Sequence, residues 1–257
     1  RGYRRQRQMG IRDRDGTGSP YNSPSCFALN PWFLDADDLR RDGFLSEGDI
    51  QKLPGSEEPT QGVGNLNLEM IQRRSNGIAD ALLKEWTKQS KERHQQFEIW
   101  CRQQPWLEDH ARFTVLHDQY QKAWWKWPQK LARHDNKALR HWSERHEDEI
   151  LRIKLQQWLL NQQWEAIREL AKNNGILIFG DLPFYVSADS VDVWSNRNLF
   201  SVKENGDLTT QSGVPPDYFS ETGQLWGSPV YRWGQHRLTR FQLSLIHISE
   251  PTRPLYI

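Results

Sequence analysis

The sequence predicts an α/β fold in which a large helical block precedes a buried strand and a run of long loops. Three observations predict it. Apolar residues recur at three- and four-residue spacing from about residue 66 to 173. Asn173-Asn174-Gly175 then forms a helix C-terminal cap, with Gly175 free to take positive φ. Directly behind that cap stands Ile-Leu-Ile-Phe, residues 176–179, a short continuous apolar run of the kind that forms a buried parallel strand.

The elements follow in chain order. Residues 16–34, GTGSPYNSPSCFALNPWFL, are rich in Gly, Pro, Ser and Asn and read as an ordered loop anchored by its aromatics and Leu. Residues 35–50 suit short helical turns, and 51–64 a loop. Between 66 and 104, Leu66, Ile71, Ile78, Leu82 and Trp86 mark a helical face that Pro105 ends. A second helix fits 106–123, ended by Trp-Trp-Lys-Trp-Pro at 124–128. A long helix is expected over 135–173, with Leu151, Leu155, Trp158, Leu159, Trp164, Ile167 and Leu170 as its apolar stripe. Trp158 and Trp164 are expected in the core. Past the strand, Asp189 or Ser190 can cap a short helix through Trp194. Residues 199–212 read as a hairpin turning at Asn205-Gly206. GVPPDYFSETGQLWGSP, residues 213–229, holds three prolines and three glycines and is expected to be neither helix nor strand. It nevertheless carries Tyr218, Phe219 and Trp226.

Composition narrows the function. The chain has 257 residues and a net charge of +1, so no global field argues for nucleic acid or a membrane surface. The apolar share of 36% is low, but 13 Trp, 10 Phe and 7 Tyr compensate and argue against disorder. Cys26 and Cys101 lie far apart without a CxxC or Cys/His cluster, which fits a reducing cytoplasm rather than a disulfide framework. No apolar run reaches membrane-spanning length.

The two ends stand apart. Residues 243–253, LSLIHISEPTR, match residue for residue the translation of a widely used transposase sequencing adapter. Residues 8–14, QMGIRDR, resemble its opposite strand, with Gly10 where Cys is expected. The basic N-terminal stretch is therefore expected to be foreign rather than an arm for nucleic acid, and residues 15–242 to be the part that carries meaning.

Among them, GTG lacks the preceding strand and following Lys-Ser/Thr of a phosphate loop. His141 and His146 are spaced i,i+5, off one helix face, and read as a solvated surface rather than a metal site. No GxSxG elbow appears. Carboxylates and exposed aromatics remain. Asp181 sits at the carboxyl end of the expected strand, where an α/β barrel places its active site. It is equally a turn-forming Asp. Asp217, beside Tyr218 and Phe219, is either a ligand or an Asx turn that stiffens the loop. Aromatic faces with nearby carboxylates suit a sugar, whose rings have apolar C–H faces and an equator of hydroxyls.

The stretches SPYNSPSCFALNP, GDLPFYVSADSVDVW and GVPPDYFSETGQLWGSPVYRW resemble the amylomaltases, the 4-α-glucanotransferases also called disproportionating enzymes. The resemblance covers about residue 16 to Trp233 and is densest from 175 onward. It implies a partial (β/α)8 barrel with a large helical insertion. Residues 1–14 would be adapter-like, 15–65 a donor-site loop and barrel edge, and 66–174 the helical insertion with a barrel helix. Residues 175–242 would hold a barrel strand with glucan-binding loops, and 243–257 an adapter-like tail. It also implies transfer of α-1,4-glucan segments between maltooligosaccharides or amylose by a retaining double displacement, without metal or organic cofactor. Ser19 and Tyr21 match the donor-sugar pocket, and Asp181 a carboxylate that binds the same sugar. Tyr218 and Phe219 match a loop that closes over the glucan, and Trp226 an acceptor-side aromatic. The family's nucleophile motif, Arg-x-Asp-His, follows the YRW region by a few dozen residues. Here the adapter-like stretch begins at Leu243, so nucleophile and acid/base are expected outside this sequence. Two rivals stay open: an α-amylase-type hydrolase on the same barrel, and a non-catalytic glucan-binding or helical interaction module.

Overall fold

The computed structural model describes residues 24–55, 67–178, 186–216, 218, 220–241 and 243. The chain divides into two compact units. The first, here the helical unit, comprises residues 28–116 and 142–179. The second, the hairpin unit, comprises residues 1–27, 117–141 and 180–257.

The helical unit begins with the short turns expected near residues 35–50, α1 (Ala36–Arg41) and α2 (Glu47–Gln51). Each starts on a side-chain cap. Asp35 Oδ1 accepts from the backbone N–H groups of Asp37 and Asp38, and Ser46 and Asp49 form a reciprocal capping box. The predicted helix over 66–104 is two: α3 (Leu68–Trp86) and α4 (Lys91–Gln103). The break falls at Ser90, whose hydroxyl caps α4 by accepting from Arg93 N–H. Pro105 ends the pair as expected. α5 (Leu107–Tyr120) stops three residues short of its predicted end, where Gln121 takes φ of 49°.

The helix predicted over 135–173 is also divided. α6 (Gln129–Ala132) precedes it, α7 (Asn136–Ser143) forms its first part, and α8 (Glu147–Asn173) its long second part. Glu147, Asp148 and Glu149 crowd the first turn of α8, where carboxylates favour a helix start through the N-terminal dipole. α8 packs on α3 and α4. Trp158 lies buried at the centre, with the rings of Phe44, Trp86 and Phe97 edge-on at 5.7, 5.8 and 5.4 Å. Leu155, Leu159, Ile78 and Leu82 belong to the same core, together with Leu34, Leu39 and Leu45. Trp158 is thus where the sequence put it, whereas Trp164 is only half-buried and Ile167 and Leu170 are exposed.

α8 ends on the predicted cap. Gly175 takes φ of 66°, its N–H donates to Lys172 O (3.0 Å), and Ile176 N–H donates to Ala171 O (2.8 Å). The strand expected immediately after it is not formed. Ile176, Leu177 and Ile178 carry no strand assignment and are 60, 95 and 42% exposed; Phe179 lies outside the described residues. A parallel strand exists only through neighbours on its edges. Among the described residues the one sheet pairs two other segments, antiparallel.

Those segments are β1 (Gln211–Val214) and β2 (Gln224–Pro229) of the hairpin unit. The unit also holds α9 (Val191–Ser195), capped by Ser190, one of the two caps the sequence offered, and α10 (Trp233–Leu238). Trp124 and Trp194 are buried here, and Trp194 Nε1 donates to Leu131 O (2.9 Å). The hairpin expected over 199–212 is a single antiparallel bridge, Val202 to Leu208, around the predicted Asn205-Gly206 turn. Among the described residues no helix is long and apolar enough to cross a membrane.

Candidate functional site

The aromatic-bearing stretch 213–229 was expected to lack regular structure, yet its two ends are strands. The prolines explain why both can hold. Pro215 and Pro216 fall after β1 has ended, where no ladder N–H is needed. Gly223 closes the connection. Its N–H donates to Ser220 O (3.2 Å) and its O accepts from Ser220 Oγ (2.8 Å). It takes φ of 73°, and a Cβ there would stand 2.5 Å from Val214 O, so only glycine fits.

The ladder pairs Gly213 with Leu225 and Gln211 with Pro229. Over that interval β1 advances two residues and β2 four, so β2 bulges across Trp226–Ser228, with Gly227 at φ of 70°. Bulges re-aim side chains. Trp226 sits in this one, 49% exposed, its indole N–H donating to Gln224 Oε1 at 3.1 Å. Leu225 and Tyr218 are more exposed still, at 75 and 98%. The hairpin thus presents an indole face, a phenol and an aliphatic side chain to solvent.

The root of the hairpin is held by residues that the sequence did not flag. Ser201, buried, donates its hydroxyl to Thr210 O (2.6 Å) and accepts from Val230 N–H (2.8 Å). Leu199 O accepts from Arg232 N–H (2.8 Å) and faces His236 Nε2 (3.2 Å). His236 is buried, and burial pushes its pKa down.

A second cluster lies at the start of α9. The Asp192 carboxylate is buried and accepts from Cys26 N–H (2.9 Å) and from the Cys26 thiol (2.7 Å). Val191 N–H donates to Pro24 O (2.8 Å). Asp189 accepts from Trp124 N–H (3.1 Å) and meets His117 Nε2 at 3.1 Å; that hydrogen bond raises the His117 pKa. The segment just after Ser19 and Tyr21 is therefore tied to the segment just after Asp181.

The comparisons with known proteins now decide the family. A family model described as 4-alpha-glucanotransferase matches residues 7–249. The chain belongs to the 4-alpha-glucanotransferase family. A 4-alpha-glucanotransferase from Synechocystis sp. is 36% identical over 226 residues, covering 87% of this chain and 44% of that protein. One from Aquifex aeolicus is 34% identical, with the same coverage. Among solved structures, the amylomaltase from Streptococcus agalactiae in complex with acarbose superimposes with a TM-score of 0.82 at 29% identity, covering 91% of this chain and 46% of that one. The chain spans less than half the length of these relatives. The family match also runs into both stretches that resemble adapter sequence, residues 8–14 and 243–249.

Of the glucanotransferase site residues expected from the sequence, Trp226 and Tyr218 are described, both exposed on one hairpin. Ser19, Tyr21, Asp181, Asp217 and Phe219 lie outside the described residues. Ser201, His236, Asp189, Asp192 and Cys26 were missed as supports. Asp192 lies within a motif that carried the family resemblance, but its partner Cys26 is 166 residues away. Nothing in either local sequence joins them. Among the described residues no three His, Cys, Asp or Glu side chains gather as a metal site would need.

Proposed function

We propose that this chain is part of a 4-α-glucanotransferase that moves α-1,4-glucan segments between maltooligosaccharides or amylose, and that its share of the work is glucan binding. The observation that carries the reading is the bulged hairpin: an indole at Trp226 and a phenol at Tyr218 held open to solvent, in a chain that belongs to this family. Aromatic faces pack on the C–H faces of glucose, and the nearby amides and hydroxyls can meet its equatorial hydroxyls. In this reading Trp226 serves the acceptor side, and Tyr218 with Phe219 and Asp217 closes over the chain of sugars. Ser19, Tyr21 and Asp181 line the donor pocket. A barrel completed by chain beyond this sequence supplies the nucleophile and acid/base for a retaining double displacement, with a sugar hydroxyl in the place of water. Closing the hairpin over the glucan excludes water, which favours transfer over hydrolysis.

Product analysis of the full-length protein tests this. Incubated with maltotriose, a transferase yields glucose together with oligomers longer than the substrate. Shorter sugars alone, with reducing ends rising over time, would instead indicate the amylase-type hydrolase. No change in either would favour the non-catalytic module.

A further inference from the structure

We propose that Asp192 is a positioning residue for the donor side of the site: its buried carboxylate fastens residues 24–26, and through them the Ser19-Pro20-Tyr21 stretch just upstream, to the first turn of α9. The inference rests on the reading of Ser19 and Tyr21 as donor-pocket residues given above. It starts from what a buried carboxylate needs. Asp192 is 2% exposed, and a carboxylate taken out of water is tolerated only where donors replace its hydration. Two such donors belong to one residue. Cys26 N–H donates to Oδ2 at 2.9 Å and the Cys26 thiol to Oδ1 at 2.7 Å, so each carboxylate oxygen holds Cys26.

A third bond runs beside them. Val191 N–H, at the first position of α9 where a helix offers no acceptor of its own, donates to Pro24 O at 2.8 Å. The post is itself fixed. Ser190 Oγ accepts from Val193 N–H (3.3 Å), Val193 and Trp194 are buried, and Trp194 Nε1 donates to Leu131 O (2.9 Å). Residues 24–26 are neither helix nor strand, so their path is set by bonds made across the fold, and three of those go to α9. Tyr21 stands three residues before Pro24. A chain of that length spans at most about 11 Å, so a shift at 24–26 has little slack in which to die away. A buried carboxylate against a buried thiol is a costly choice where two apolar side chains would simply fill space. Its use here is directional: it sets where the chain leaves the donor residues.

The test is a double-mutant cycle in the full-length protein, with maltotriose as donor and labelled glucose as acceptor, each varied in turn. Asp192→Asn keeps the size of the side chain, but its amide nitrogen cannot accept, so one of the two Cys26 bonds is lost. It should raise the donor KM by about two- to tenfold, the range expected for one net hydrogen bond. The acceptor KM should stay within about twofold. Cys26→Ala should act in the same direction and more weakly, since the backbone bond survives, and Cys26→Ser, which keeps a donor, should restore much of that loss. In a Tyr21→Ala background Asp192→Asn should add little, because a group it positions is gone. An unchanged donor KM in Asp192→Asn would overturn the inference, as would an equal rise in donor and acceptor KM, or the same rise with and without Tyr21. So would lowered thermal stability at constant donor KM, which would leave Asp192 a structural role alone. Should Asp192→Asn not fold, Cys26→Ala and Cys26→Ser carry the same cycle. If Tyr21→Ala raises the donor KM while the Asp192 and Cys26 variants do not, only this inference fails. If Tyr21→Ala itself leaves the donor KM unchanged, the donor reading of Tyr21 fails and this inference with it.

Discussion

His110 shows how a single buried side chain can set the pH response of the helical unit. It is 3% exposed, its Nδ1 has no partner among the described residues, and burial lowers its pKa to about 4 from 6.5. A folded-state pKa below the unfolded one means the neutral form is favoured in the fold. Stability from this residue is complete above pH 6.5 and is lost as pH falls towards 4. Between pH 7.5 and 5.0 the loss should be about 2 kcal/mol. Denaturant unfolding at the two pH values measures it. His110→Leu should shrink the difference by about that amount; an undiminished pH dependence in the variant would assign the effect to other groups. His117 acts in the opposite sense. Its raised pKa stabilises at low pH, and that contribution fades as pH rises through the folded value.

At the scale of the element, the hairpin makes a prediction that separates two glycines. Gly223 and Gly227 both take positive φ, so an alanine at either is strained by roughly 1–2 kcal/mol. They differ in space. A Cβ at Gly223 would stand 2.5 Å from Val214 O and 3.0 Å from the Pro215 carbonyl carbon, whereas one at Gly227 would meet nothing within 4 Å. Gly223→Ala should therefore open the connection, and Gly227→Ala should only strain it. Limited proteolysis within residues 215–223 reads the difference: cleavage should accelerate several-fold more in Gly223→Ala. Equal rates would mean that the close approach to β1 does not hold the turn. The helices teach a related lesson. Caps at Ser190 and Gly175 and the stop at Pro105 were legible because each is settled within a few residues. The breaks at residues 87–90 and 144–146 fall in polar runs, with no apolar residue between Trp86 and Phe97 or between Trp142 and Ile150, and were missed because such a run also suits the solvated stretch of a continuous helix. The Ser90 cap and the carboxylates that open α8 mark the new helix starts.

For the whole molecule, what the sequence could and could not reveal follows the range of the interaction. Trp158 was legible as core because a wide apolar stripe needs only a partner surface. The strand at 176–178 was legible as a pattern but is not realised, because a parallel strand is made by its neighbours. Ser201, His236 and the Cys26–Asp192 pair were invisible because their partners are distant in sequence or lie on backbone atoms that carry no residue signature. The family, by contrast, was legible from three long motifs, all of which fall partly on residues outside those described. We propose that this sequence carries glucan-binding parts of a 4-α-glucanotransferase while the reacting carboxylates lie elsewhere. The most direct test is to incubate the expressed 257-residue chain with maltotriose and resolve the products by size. No glucose and no longer oligomers above a blank is the predicted result. Disproportionation by this chain alone would contradict it, since the nucleophile and the acid/base would then have to lie among these 257 residues.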